Sequence, residues 1–124
     1  MIFYFSATGN SKYAAGRIAA STEDRLISLK DAVRGRSYRY DVSREERIGF
    51  VFPVYFWGLP SILRFFVKKL ELTGYRNQYV YAVLTCGNST GSAGDQLAEL
   101  LKEKGVTLSA QFGIPMVDNY VPMF

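Results

Sequence analysis

The sequence predicts an α/β fold: one three-layer domain over residues 1–124, built on a doubly wound parallel sheet of five strands in the order 2-1-3-4-5. Three observations lead there. Short apolar runs alternate with segments of helical period, and strands joined through helices pair in parallel with right-handed crossovers. The runs are continuously apolar, as strands covered on both faces are. Turn-forming clusters follow the first, third and fourth runs, at the end of the sheet where this topology places its ligands.

Ile2-Phe3-Tyr4-Phe5 is the first strand, and it stops at Ser6-Ala7-Thr8-Gly9-Asn10. Ala14, Ala15, Ile18 and Ala19 then recur at helical spacing, which predicts a helix over about 11–20. Leu26, Ile27 and Leu29 suggest a short second strand, and the polar residues 30–46 leave room for one small helix or none. Ile48-Gly49-Phe50-Val51-Phe52 is the third strand, stopped by Pro53. Pro60 opens the next helix, where a missing N–H costs nothing, and Ile62, Leu63, Phe66, Val67 and Leu70 form its apolar stripe. Lys68 and Lys69 lie near its C-terminal end, where cations are favoured.

Tyr79 to Leu84 is the fourth strand and runs into Thr85-Cys86-Gly87-Asn88. A helix over about 93–104 carries Leu97, Leu100 and Leu101 on one face and is capped by Gly105. Leu108 to Ile114 is the fifth strand, and residues 116–124 show no usable period.

Composition excludes several function classes. Hydrophobic residues make up 48% and charged ones 21%, a balance typical of soluble globular domains. The absence of histidine removes Ser-His-Asp and Cys-His catalysis and the commonest zinc and haem ligands. The single cysteine, Cys86, excludes an internal disulfide and a multi-cysteine metal site. The net charge is +4, and five arginines lie between Arg34 and Arg47 against three acids. With no nucleic-acid-reading motif, that run reads as a solvated connection. No basic leader or long apolar stretch is present, so the expected location is the cytoplasm, with no membrane and no nucleic acid as partner. Aromatics reach 15%; most fill core, but flat side chains also suit a flat ligand.

The first loop carries the sharpest chemistry. A strand runs straight into Ser6-Ala7-Thr8-Gly9-Asn10-Ser11, which opens a helix. Free N–H groups and the macrodipole make such a helix start attractive to an anion. Gly9 permits close backbone approach or positive φ, and Ser6, Thr8 and Ser11 supply hydroxyls, so the loop suits a terminal phosphate without any Lys or Arg in it. It matches neither a Walker loop nor a Gly-x-Gly-x-x-Gly pyrophosphate turn. By itself it reads equally as a polar turn that caps a helix and needs no ligand.

With its neighbours, the loop resembles a known family. Phe5-Ser6-Ala7-Thr8-Gly9-Asn10-Ser11 is similar to the flavodoxin loop Thr/Ser-x-Thr-Gly-Asn-Thr/Ser, which grips the phosphate of flavin mononucleotide (FMN). Phe52-Pro53-Val54-Tyr55-Phe56-Trp57-Gly58-Leu59-Pro60 stands where flavodoxins carry the second flavin loop, and Thr85-Cys86-Gly87-Asn88 where they carry the third. The resemblance is nearest to the flavodoxin half of flavodoxin–ferredoxin fusion proteins. It implies that Ser6, Ala7, Thr8, Gly9, Asn10 and Ser11 bind the phosphate, with Pro53, Val54, Tyr55, Phe56, Trp57 and Gly58 along one side of the flavin ring. One of Tyr55, Phe56 and Trp57 would stack on the ring. In flavodoxins a peptide of this loop turns over on one-electron reduction and its carbonyl accepts a hydrogen bond from flavin N5–H; Gly58 is the matching position. Thr85, Cys86, Gly87 and Asn88 would meet the pyrimidine edge, with Gly91 and Gly94 letting the backbone pass close to the ring or the following helix. Cys86 has no partner to activate it and reads as a small loop residue.

The chain departs from that family twice. Typical flavodoxins are acidic, and the +4 charge implies a second reduction step at higher potential than theirs. Family members also end on a helix after the fifth strand, packed beside the first helix, whereas Pro115 and Pro122 interrupt the residues that follow Ile114 here. One apolar face of the fourth and fifth strands is therefore expected to be bare, at ~25 cal/mol per Å². Either the chain is part of a longer protein or another subunit, in a homo-oligomer, covers that face. The leading function is an FMN-dependent carrier of one or two electrons between redox partners, a ferredoxin domain among the candidates. An FMN-dependent NAD(P)H oxidoreductase and a flavin-free interaction domain are the other classes this fold supports.

Overall fold

The computed structural model describes residues 1–6, 9–54, 58–86 and 92–115. Its elements in chain order are β1 (Ile2–Tyr4), α1 (Asn10–Thr22), β2 (Leu26–Ser28), α2 (Leu29–Arg34), β3 (Arg39–Asp41), β4 (Arg47–Pro53), α3 (Ser61–Lys69), β5 (Glu71–Thr73), β6 (Tyr79–Cys86), α4 (Ala93–Lys102) and β7 (Ala110–Pro115). Five strands form one parallel sheet in the order β2-β1-β4-β6-β7, the doubly wound order the alternation predicts. The chain reverses its winding between β1 and β4, whose registered pairs run from Ile2 with Gly49 to Tyr4 with Val51.

Strand alternation sorts the core into two unequal halves. Phe3, Ile48, Phe50, Phe52, Val80, Ala82 and Leu84 point to the face covered by α2, α3 and α4, where Leu29, Leu63, Phe66, Val67, Leu97 and Leu101 meet them. Ile2, Val51, Tyr81 and Val83 point to the other face, covered by Ala14, Ala15, Ile18 and Ala19 of α1. Small side chains let α1 lie close to the sheet. Beyond α1 none of the described helices covers this second face, and Tyr79 and Phe112 are 46% and 49% exposed. They border a groove of about 370 Å³ with Ile18, Tyr81, Val83 and Ile114. This is the bare face the sequence predicts.

Gly49 stands in register with Tyr81, and a Cβ there would meet the Tyr81 ring, so only glycine lets that ring lie flat on β4. The Tyr81 hydroxyl has no hydrogen-bond partner among the described residues. Burial pushes its pKa up to about 12.

Several elements differ from expectation. Leu29 is not in the second strand but opens α2, capped by Ser28, whose hydroxyl accepts from Asp31 N. Residues 39–41 and 71–73 form a second, two-stranded parallel sheet, registered from Arg39 with Glu71 to Asp41 with Thr73. Only Tyr40 and Leu72 of those strands turn toward the core. Three residues with one inward side chain carry too little alternation to register as a strand. The basic run thus does more than connect: Arg39 bonds Glu71 at 3.1 Å and Arg47 bonds Asp24 at 2.7 Å. α4 ends two residues early, at Lys102, with Gly105 at φ 78° following. No helix among the described residues is long and apolar enough to cross a membrane.

Candidate functional site

The C-terminal ends of β1, β4 and β6 are neighbours, so the three loops singled out in the sequence leave the sheet side by side. Their roots are tied together by short-range bonds. Phe5 N donates to Val51 O at 3.0 Å, extending the β1–β4 ladder into the first loop. Val54 N donates to Thr85 O at 3.0 Å, which does the same between the second and third.

In the first loop the Ser6 hydroxyl accepts from Gly9 N at 2.9 Å and closes a tight turn. Gly9 is the residue before α1, at φ 98° and ψ −17°, a left-handed conformation that glycine alone adopts cheaply. Gly9 therefore offers α1 no side chain as a cap, and the first turn of the helix carries no acid. The first backbone acceptor of that helix is Gly9 O, which takes Tyr13 N at 2.9 Å. The N-terminus of α1, with the positive end of its macrodipole, faces the rim where the loops converge. Lys12, exposed in the same turn, adds a cation.

Ser11 sits differently from a simple phosphate ligand. It is 1% exposed, and its hydroxyl lies 2.9 Å from that of Thr85, itself 4% exposed. The pair pins the start of α1 to the end of β6, so these two expected site residues join the first loop to the third. Pro53 ends β4 in register with Thr85, and Cys86 ends β6 in register with Pro115.

The second and third loops are joined at their trailing ends by Gln96 of α4. Its Oε1 accepts from Leu59 N at 3.2 Å and from Arg64 Nη2 at 3.0 Å, and its Nε2 donates to the Ser92 hydroxyl at 3.0 Å. Sequence reading missed Gln96 and Arg64. Gln96 lies beside the Leu97–Leu100–Leu101 stripe, and nothing in that pattern says that a polar neighbour folds across to another loop. Gly94, expected to let the backbone pass close to the ring or to the following helix, lies in α4 and makes room for the Gln111 side chain, which a Cβ at Gly94 would strike. Gln111 in turn bonds Asp95 at 3.2 Å. Ala7, Thr8, Tyr55, Phe56, Trp57, Gly87, Asn88 and Gly91 lie outside the described residues.

The described ends of the three loops thus meet along one rim of the sheet, beside the start of α1. Among the described residues no group of three or more His, Cys, Asp or Glu could hold a metal ion.

Comparison with known proteins agrees on the architecture. The family model described as flavodoxin domain matches residues 1–114. No curated protein matches the sequence. A putative flavoprotein from Bacteroides uniformis superposes with a TM-score of 0.68 at 17% identity, covering 96% of this chain and 92% of that one. The two-electron reduced flavodoxin of Megasphaera elsdenii gives 0.64 at 19% identity, over 96% and 90% of the two chains. The Trp repressor binding protein of Bacillus subtilis gives 0.63 at 13% identity, over 94% and 85%. At these identities the likeness is one of fold.

Proposed function

Because this chain belongs to the flavodoxin domain family, we propose that it binds FMN and carries one or two electrons between redox partner proteins. The observation that carries the reading is the start of α1: a left-handed Gly9 before it and no acid in its first turn, placed at the switch point of the sheet. A helix start of this kind fits a phosphate dianion. FMN, when bound, supplies the electron acceptance and release.

The chain's own residues bind and orient. The first-turn amides of α1, with the hydroxyls of Ser6 and Thr8, would take the phosphate, and Lys12 would add charge from the side. Pro53 to Gly58 would line one face of the ring and exclude water from it. Thr85 to Asn88 would offer backbone donors and acceptors to its polar edge. The Ser11–Thr85 bond fixes how far the phosphate end lies from that edge. No proton donor or acceptor from a side chain is needed, in keeping with a chain that has no histidine.

Titrating flavin-free protein with FMN and with riboflavin tests this. FMN is expected to bind with quenched fluorescence, and riboflavin, lacking the phosphate, far more weakly. Protein with an intact sheet that takes up no FMN at high micromolar concentration would overturn the reading. Direct, steady bleaching of bound flavin by NADH or NADPH would replace the carrier with an oxidoreductase.

A further inference from the structure

Gln96 belongs to none of the three loops, yet one planar amide reaches both of the loops that would flank the ring. Its oxygen has two donors, Leu59 N–H and the Arg64 guanidinium, at 3.2 and 3.0 Å. Its nitrogen has one acceptor, the Ser92 hydroxyl, at 3.0 Å. The orientation of the amide follows from these partners: turned over, its NH2 would face two donors. Ser92 is the first residue of the described chain after the third loop, and Leu59 directly follows Gly58 in the second.

The bond to Leu59 N does more than tether. Leu59 N–H belongs to the same planar peptide as Gly58 C=O, and in a trans peptide the two point in opposite directions. No cis peptide occurs in the described backbone. Whatever holds the Leu59 N–H therefore aims the Gly58 carbonyl. Gly58 lacks a Cβ, so its own torsions resist rotation of that peptide little. Gly58 itself sits in a backbone bridge, and Gln96 adds a restraint on the peptide from across the crevice.

We propose that Gln96 is a positioning residue for the flavin: it sets the direction of the Gly58 carbonyl and the spacing between the second and third loops, and through them the affinity for FMN and its reduction potentials. This rests on the FMN-binding reading above. Leu59 N–H and Arg64 share one acceptor, so the same amide also draws the first turn of α3 toward α4.

Gln96→Leu keeps a side chain of similar size on α4 and removes every bond of the amide. Gln96→Glu keeps the acceptor for Leu59 N and Arg64 and loses only the donor to Ser92. Three readouts separate positioning from bulk stability: NMR hydrogen exchange of the Leu59 amide in flavin-free protein, the FMN dissociation constant, and the gap between the two reduction potentials. For Gln96→Leu, the Leu59 amide is expected to exchange about fivefold to tenfold faster and FMN to bind weaker by a similar factor. The potential gap shifts with it. Gln96→Glu is expected to restore Leu59 protection and bring FMN affinity back to within about threefold. The proposal is overturned if Gln96→Leu leaves Leu59 exchange and both potentials unchanged. It is overturned equally if both variants weaken FMN alike in proportion to lost thermal stability. Failure of the wild-type protein to bind FMN would remove the FMN-binding reading and with it the flavin role of Gln96, whereas an unchanged Leu59 exchange in flavin-free Gln96→Leu would overturn the positioning of the Gly58 peptide by itself.

Discussion

The two rims of the sheet solve the same problem in opposite ways. At the N-terminal rim, charged side chains close on one another and on the loop backbone. Arg47 bonds Asp24 at 2.7 Å and Thr22 O at 2.9 Å, and the Met1 ammonium lies 2.8 Å from Glu45 and 3.4 Å from Asp24. Gln78, buried, donates to Val42 O at 2.6 Å and accepts from Arg76 N at 2.7 Å. Among the described residues, the ties at the C-terminal rim are neutral or singly charged, and Gly9 offers α1 no side chain as a cap. A rim whose polar groups satisfy one another holds the fold together; the rim with the N-terminus of α1 is the one the proposed function assigns to the ligand. Substitutions at the two rims should therefore separate stability from ligand affinity.

The largest effect is expected at Arg47. Arg47→Leu leaves the Asp24 carboxylate, 9% exposed, without its closest cationic partner. The cost is about 2 kcal/mol, read as a lower midpoint in urea, with FMN affinity unchanged within about twofold. The same variant should alter the acid limb. Burial by itself raises the Asp24 pKa, but hydrogen bonds from Thr22 and Arg47 and the charges of the Met1 ammonium and Arg47 outweigh it and hold it below 3.8. Stability from this carboxylate is thus present above 3.8 and lost as pH falls below it through the folded-state value. The wild type should lose stability over that window more steeply than Arg47→Leu. Equal slopes would place the acid sensitivity elsewhere.

How much of this was legible follows from where the physical signal sits. The five-stranded sheet could be read because Ile2-Phe3, Phe50-Val51-Phe52 and the run from Val80 to Leu84 are continuously apolar, their side chains buried alternately on the two faces. The open face was legible too, since Pro115 and Pro122 break the helical period where a cover would form. The two-stranded sheet was not, because Arg39-Tyr40-Asp41 and Glu71-Leu72-Thr73 each bury only one side chain. In the candidate site the first loop announced itself through local chemistry, Gly9 above all. Gln96 did not: its bonds reach 37 residues back to Leu59, and no local pattern encodes a contact of that range.

Gly9 gives the next effect, and Gly105 its control. Both have positive φ, 98° and 78°, and neither has an atom within 4 Å of the place a Cβ would take. Alanine at either site meets conformational strain rather than a clash, about 1–2 kcal/mol. Gly105 follows α4 at the N-terminal rim. Both variants should lose similar stability, but only Gly9→Ala should weaken FMN, by about tenfold, because relaxing its torsions swings the first-turn donors of α1. Equal loss of affinity in both would mean that affinity merely tracks stability.

Ser11 and Thr85 give the smallest effect and the sharpest discrimination, because their bond is at the receptive rim yet buried like those of the other. Removing one hydroxyl strands its partner: Ser11→Ala leaves Thr85 Oγ1, and Thr85→Val leaves Ser11 Oγ, without the 2.9 Å bond. Each single variant should cost about 1 kcal/mol, and the double variant should cost less than the sum, since no stranded hydroxyl remains. FMN affinity should fall about threefold in each, as the start of α1 loosens against β6. A double variant whose stability loss equals the sum of the singles would show that the two hydroxyls act independently. A stability loss with no change in affinity would move this bond to the structural side of the comparison, leaving the backbone geometry at Gly9 as what the receptive rim depends on.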